Sequence, residues 1–212
     1  MKVLVACEES QRVCAAFRER GHEAYSCDII DQSGGHPEWH ILQDVLPLLN
    51  GNCEFETTDG IKHKVDGKWD LIIAHPPCTY LSNAGARHLW KGHKLNTERY
   101  EKGLKAKEFF LNFINADCDK ICVENPIASK IYELPQYSQI IQPYEYGHPY
   151  SKKTCLWLKG LQVLKPINIV PEEKRQSTKI AGNWFNKGGK NRQINRAKTF
   201  PGIAKAMAEQ WD

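Results

Sequence analysis

Residues 2–28 read KVLVACEESQRVCAAFRERGHEAYSCD, and this stretch decides how the rest of the chain is read. Lys2–Ala6 is a short apolar run. Ser10 stands where a helix cap belongs, an apolar stripe follows through residues 11–20, and Gly21 ends it. Glu23–Cys27 is a second strand-like run closing at Asp28. Strand, helix, strand is the unit from which parallel, doubly wound sheets are built, and such sheets bind ligands at the carboxyl ends of their strands.

The same alternation continues outward. Asp59-Gly60 separates two strand-like runs and predicts a β-hairpin inserted over residues 53–65. Trp69–Ala74 has core-strand character, residues 97–116 carry apolar side chains at helical spacing, and Lys120–Glu124 is the next strand. A short helix near Ala128–Glu133, strands around Gln139–Tyr144 and Thr154–Leu158, and a closing helix at Pro201–Trp211 complete the pattern. The fold class is therefore α/β, a sheet covered by helices.

A chain of 212 residues suits one such domain, residues 1–212, rather than two. Residues 151–212 hold 13 Lys+Arg against 4 Asp+Glu, so the C-terminal part is the basic one. Eight cysteines without the dense layout of secreted scaffolds read as reduced thiols, and no apolar run approaches the roughly 18 residues of a membrane span. The expectation is a cytoplasmic enzyme that does not use the membrane.

The chemistry is concentrated in residues 69–85, WDLIIAHPPCTYLSNAG. The loop after Ala74 opens toward the ligand cleft, and Pro76-Pro77 stiffens it by fixing backbone angles and removing two donors, so the Cys78 side chain is aimed. Methyltransferases acting on exocyclic amines place Asp, Asn or Ser before Pro-Pro and an aromatic after it. Here His75 and Cys78 flank the prolines, and a nucleophile takes the aromatic's place.

With Asp70, Pro77, Cys78, Ser82, Ala84 and Gly85 in register, the segment resembles the Pro-Cys motif of the DNA cytosine-C5 methyltransferase family. The resemblance implies a Rossmann-like S-adenosylmethionine-dependent fold and a covalent mechanism. C5 of cytosine is a poor nucleophile until a thiolate adds at C6, a task suited to Cys78. Cys122-Val-Glu-Asn-Pro126 resembles the family's Glu-Asn-Val segment, which makes Glu124 the partner of ring N3 and Asn125 a support for the Cys78 loop.

The resemblance also implies S-adenosylmethionine held along the first strand ends. Asp28 would take the ribose hydroxyls, Asp44 the adenine amino group, and Pro76 would border the donor. The first turn departs from the family's glycine-rich pattern: it reads Ala6-Cys-Glu-Glu-Ser-Gln11 without glycine. Ser10 at the helix N-terminus would receive the methionine carboxylate and Glu8 or Glu9 would lie near the ammonium; a plain helix cap is the other reading of Ser10.

Tyr146, Gly147 and Pro149 match a later family motif, with Ser151, Lys152 and Lys153 where it has glutamine and arginines. In place of the family's large target-recognition domain stands a basic loop, residues 166–198. Its stretch Lys174–Lys198 has eight basic residues, no acidic one, and Trp184-Phe185. Lys152, Lys153, Lys187, Lys190, Arg192 and Arg196, with Ser82, are the expected DNA contacts. A solvated surface loop is the other reading.

The shortened chain suggests a compact, phage-encoded member, with a separate recognition subunit or an oligomer to supply what is missing. The expected partner is cytosine-containing DNA. The alternatives are the same chemistry on single strands or free cytidine nucleotides, and a non-catalytic nucleic-acid-binding protein of this fold. His36 and His40 are separated by Pro37 and lack a third ligand, so no metal is expected. Cys118 and Cys122 read as packing. His75 could lower the Cys78 pKa or contact solvent or backbone.

Overall fold

The computed structural model describes residues 1–177 and 192–212. Its centre is a seven-stranded sheet, numbered here in chain order: β1 Lys2–Ala6, β2 Glu23–Asp28, β3 His40–Leu42, β4 Leu71–Ala74, β5 Ile121–Pro126, β6 Gln139–Ile141 and β7 Thr154–Lys159. The spatial order is β3-β2-β1-β4-β5-β7-β6, parallel throughout except β7, which runs antiparallel to both its neighbours. This is the mixed α/β architecture with a mostly parallel central sheet expected from the sequence. Chain order reverses between β1 and β4, and at that switch point the strand ends leave a crevice.

Alternation along each strand sorts the core into two layers. Val3 and Val5 of β1 and Leu71 and Ile73 of β4 face α1 (Arg12–Glu19) and the closing helix, whose buried residues include Val13, Phe17, Ile203, Met207 and Trp211. Leu4, Ala6, Ile72 and Ala74 face the other way, against Phe110 and Phe113 of the long helix Thr97–Ile114 and against Phe55 and Val65 of the inserted hairpin. A strand buried on both faces must be apolar at successive positions, which is why KVLVA and LIIA read as unbroken runs. In the hairpin, Cys53–Glu56 pairs antiparallel with Lys62–Val65, as the Asp59-Gly60 signal predicts. The remaining helices among the described residues are α2 Asn83–Ala86, α3 Thr97–Ile114, α4 Arg192–Ala197 and α5 Pro201–Gln210.

Three local expectations are corrected. The segment Ala128–Glu133 holds only a short 3-10 turn, Lys130–Tyr132, and the run expected to reach Tyr144 leaves the sheet after Ile141. Proline accounts for the second: Pro143 cannot donate to a ladder and instead starts a further 3-10 turn. The helix cap expected at Ser10 is made by Glu8, whose carboxylate accepts from Val13 N at 2.7 Å and Cys14 N at 3.1 Å. Among the described residues, no helix is long and apolar enough to cross a membrane.

Candidate active site

Register places the site. Ala6 of β1 pairs with Ala74 of β4, and Ala74 with Val123 of β5, so the next residues out of the sheet, His75 and Glu124, are lateral neighbours. Both follow the side-chain period of Ile73 and Cys122, toward the α1/α5 layer. The result is a close pair, His75 Nδ1 to Glu124 Oε2 at 3.2 Å, with side chains only 8% and 15% exposed. Burial alone would push the Glu124 carboxyl up. The bond to His75 and the charge of Lys152 outweigh burial, and Glu124 is held below the ordinary glutamate value. Burial lowers His75, but the bond and charge of Glu124, followed by the charge of Glu8, raise it overall. The histidine therefore meets a carboxylate rather than solvent or backbone.

The other face of the same strand end holds the loop. Asn125, 1% exposed, donates from Nδ2 to Pro76 O at 2.7 Å and so ties the loop to β5. Ser82 N donates to Cys78 O at 3.0 Å and closes the turn. Backbone bonds from Asn83 N to Ile127 O and from Ser129 N to Leu81 O stitch the loop to the chain after β5. Gly85 has to be glycine here, because a Cβ on it would lie 2.2 Å from Thr79 O.

Within this frame Cys78 is partly exposed, unlike six of the eight cysteines, which are buried. Burial first, then the Glu124 charge, push its thiol up, while Lys152 and Arg196 pull it down. His75 is not among the groups that lower it. The Glu124 carboxylate and the two cations thus act on the thiol in opposite directions, with the net shift upward.

Lys152 approaches the pair from the C-terminal part of the chain, and Arg196 acts on Cys78. Lys152 Nζ donates to Arg196 O at 2.9 Å, Arg12 Nη1 donates to Thr199 O at 2.7 Å, and Lys198 Nζ lies 2.8 Å from Ser33 Oγ and 3.6 Å from Glu9. A cavity of about 10 Å³ beside Glu124, bordered by Lys152, Thr154, Thr199 and Phe200, has room for one water. On the outer side of the Cys78 loop, Pro77, Thr79, Tyr80, Lys102, Lys105 and Phe109 line a shallow groove of about 470 Å³.

The first turn is built differently. Cys7 and Gln11 adopt left-handed backbone angles, φ 58° and 57°, without being glycine. Such conformations cost on the order of 1 kcal/mol each and persist only where surroundings enforce them. The Gln11 amide enforces one end, bonding both the N–H and the carbonyl of His36 at 3.0 and 2.8 Å. Glu8, 4% exposed, fills the helix-end amides, and burial raises its pKa. Ser10 is buried and lies 3.5 Å from Glu8, so the site expected to take a ligand carboxylate already holds an internal one.

Asp28 and Asp44 sit at the carboxyl ends of β2 and β3, each accepting a backbone N–H two residues on, from Ile30 and Leu46. Burial raises the Asp28 carboxyl. Around them apolar side chains are bare: Ile29 is 78% exposed, Ile30 50%, Leu42 47% and Leu46 37%.

Other expected contacts fall as follows. Ser82 is 6% exposed and caps α2 through Gly85 N at 3.2 Å, so its hydroxyl faces the loop interior. Lys153 is exposed. Arg192 lies in α4, whereas Lys187 and Lys190 lie outside the described residues, as does part of the 166–198 loop. His40 is buried against Ser26 and Ile30 O, and His36 stacks on Trp39 at 3.7 Å, so the two histidines serve separate contacts. Among the described residues, no group of three His, Cys, Asp or Glu is placed to hold a metal. Arg99 was not expected at the site, yet it donates to Thr79 O and Gly85 O at 3.2 Å and lies over Tyr80. A signal existed: an arginine in the first turn of a helix opposes the helix dipole and needs another reason to be there.

No protein-family model matches the chain, and no curated protein does. Among solved structures it is similar to a crystal structure described as a candidate DNA modification methyltransferase encoded within a prophage of E. coli. The identity is 16% and the TM-score 0.46, over 81% of this chain and 52% of that one. The chain thus spans about half the length of that protein.

Proposed function

We propose that the protein is an S-adenosylmethionine-dependent DNA methyltransferase acting at C5 of cytosine, with Cys78 as the nucleophile. One observation carries this reading: a proline-stiffened loop that bears a partly exposed thiol is bonded, through Asn125 to Pro76, to the strand that presents the half-buried Glu124 carboxylate. The thiol would add to C6 of the ring while Glu124 faces N3. Fixed placement of reacting groups in this way supplies much of a covalent catalyst's advantage. Lys152, Lys153 and Arg196 would meet the phosphates, and a duplex target would be flipped out of its stack.

The donor would supply a methyl group carried on a sulfonium. The bare apolar side chains of Ile29, Ile30, Leu42 and Leu46 beside the carboxylates of Asp28 and Asp44 fit an adenosine moiety. Its amino-acid end would meet Glu8 and the backbone of residues 7–11 instead of free helix-end amides. This altered end favours a second reading, a nucleic-acid-binding protein that keeps the fold without using the donor. Calorimetry with S-adenosylmethionine separates the two.

The decisive test is trapping on DNA containing 5-fluorocytosine in the presence of S-adenosylmethionine. The expected result is a covalent adduct with the wild type and none with Cys78→Ala. Wild-type protein bound to both ligands and forming no adduct would overturn the proposal. A salt series on duplex, single-stranded and nucleotide substrates identifies the substrate class, since polymer binding weakens steeply with salt.

A further inference from the structure

His75 lies outside the motif residues that match the family, yet three charged elements meet around it. Glu124 reaches it from β5 at 3.2 Å. Glu8 acts on it from the turn after β1, and Lys152 from the segment before β7. Its backbone N donates to Ala6 O at 2.9 Å, which fixes the ring's origin on the sheet. With Nδ1 engaged by Glu124, its Nε2 is buried and has no hydrogen-bond partner among the described residues. Nδ1–H can donate to Glu124 in either charge state of the ring, and the neighbouring carboxylates of Glu124 and Glu8 favour the charged one. A carboxylate in contact with an imidazolium has no proton of its own to give.

We infer that His75 is a positioning residue that stores the proton Glu124 hands to the substrate ring, so that the pair, rather than the carboxyl alone, protonates N3. The inference rests on the cytosine-C5 reading above. Cys78 enters as thiolate, its proton released to solvent. As the S–C6 bond forms, the C5=C6 π pair moves into C4–C5 and the C4=N3 pair comes to rest on N3. N3 takes a proton through Glu124, and the imidazolium Nδ1 proton refills the carboxylate. The imidazole ends neutral, Glu124 ends ionised, and the ring adduct is neutral. One proton has crossed from His75 to the base.

The experiment has two arms. Imidazole spectra by nitrogen-15 NMR on the unliganded full chain read the pair without any reaction. His75 is expected to stay protonated above the ordinary histidine value of about 6.5, and Glu124→Gln is expected to drop it below. A His75 that is neutral at pH 7 in the wild type, or is indifferent to Glu124→Gln, overturns the inference. In the second arm, adduct formation on 5-fluorocytosine DNA is followed against pH for wild type and His75→Gln. Because the stored proton is lost as pH rises through the raised His75 value, the wild-type rate falls only beyond it. In His75→Gln the alkaline limb moves to lower pH, and the rate at neutral pH drops about a hundredfold. A folded His75→Gln with an unchanged rate and profile overturns the relay and leaves the methylation reading standing. A wild type that forms no adduct while bound to both ligands counts against both.

Discussion

The crevice has two halves built on opposite plans. On the thiol half, the ends of β4 and β5 are stitched together by polar contacts: His75 to Glu124, Asn125 to Pro76, and Arg99 to Thr79 and Gly85. On the half formed by β1, β2 and β3, the helix-end amides are filled by the chain's own Glu8, and apolar side chains around Asp28 and Asp44 stand bare. Groups that must hold an angstrom-level geometry are fixed by directional bonds. On the proposed reading, the exposed apolar groups around Asp28 and Asp44 would be covered only when the donor binds.

The contrast breaks most visibly at the thiol. Cys78→Ala is expected to lower methyl transfer on the order of 10⁴-fold while leaving the thermal midpoint and DNA affinity near wild type. A comparable loss from any substitution on the Asp28 half would erase the distinction. Gly85→Ala follows: its Cβ would sit 2.2 Å from Thr79 O, so the loop must shift. A turnover loss of about a hundredfold is expected, with unfolding in urea easier by about 1–3 kcal/mol.

On the other half, Glu8→Ala is expected to cost about 1–2 kcal/mol through lost capping, read from urea midpoints. The pH dependence has a definite sign. Burial raises Glu8, so the folded state binds its proton more tightly, and stability falls as pH rises from the ordinary carboxylate range through the raised value. Glu8→Gln removes that slope. Ile29→Asp, at a position 78% exposed, is expected to leave stability unchanged and weaken S-adenosylmethionine about tenfold by calorimetry, through a lost apolar contact and an added charge. The smallest effect sharpens the thiol half: Lys152→Met is expected to shift alkylation of Cys78 by iodoacetamide to higher pH, because a cation that lowers the thiol is removed.

Much of the thiol half was legible in the sequence because its residues act through local geometry. Pro76-Pro77 stiffens its own loop, and Asn125 lies one residue from Glu124. The His75–Glu124 pair was not legible, since it depends on Ala74 pairing with Val123 across two strands, and register is not written in either strand alone. The β1 half misled for a different reason. The sequence showed only that the turn between Ala6 and Gln11 departs from the family's glycine-rich pattern; it gave no sign that Cys7 and Gln11 take left-handed angles, enforced in part by contacts from His36 in a loop far along the chain. Ser10 carried the local signal for a cap, and a carboxylate two residues earlier reached the amides first.

The bond from Arg12 to the Thr199 carbonyl spans 187 positions. Its consequence concerns timing on the ribosome. Strands β1 to β5 can form their parallel ladder early in synthesis, but Lys152 and Arg196, the two cations that lower the Cys78 thiol, and α5 emerge only afterwards. A chain made only as far as β5 therefore holds Cys78 less ionised than one that has reached Arg196.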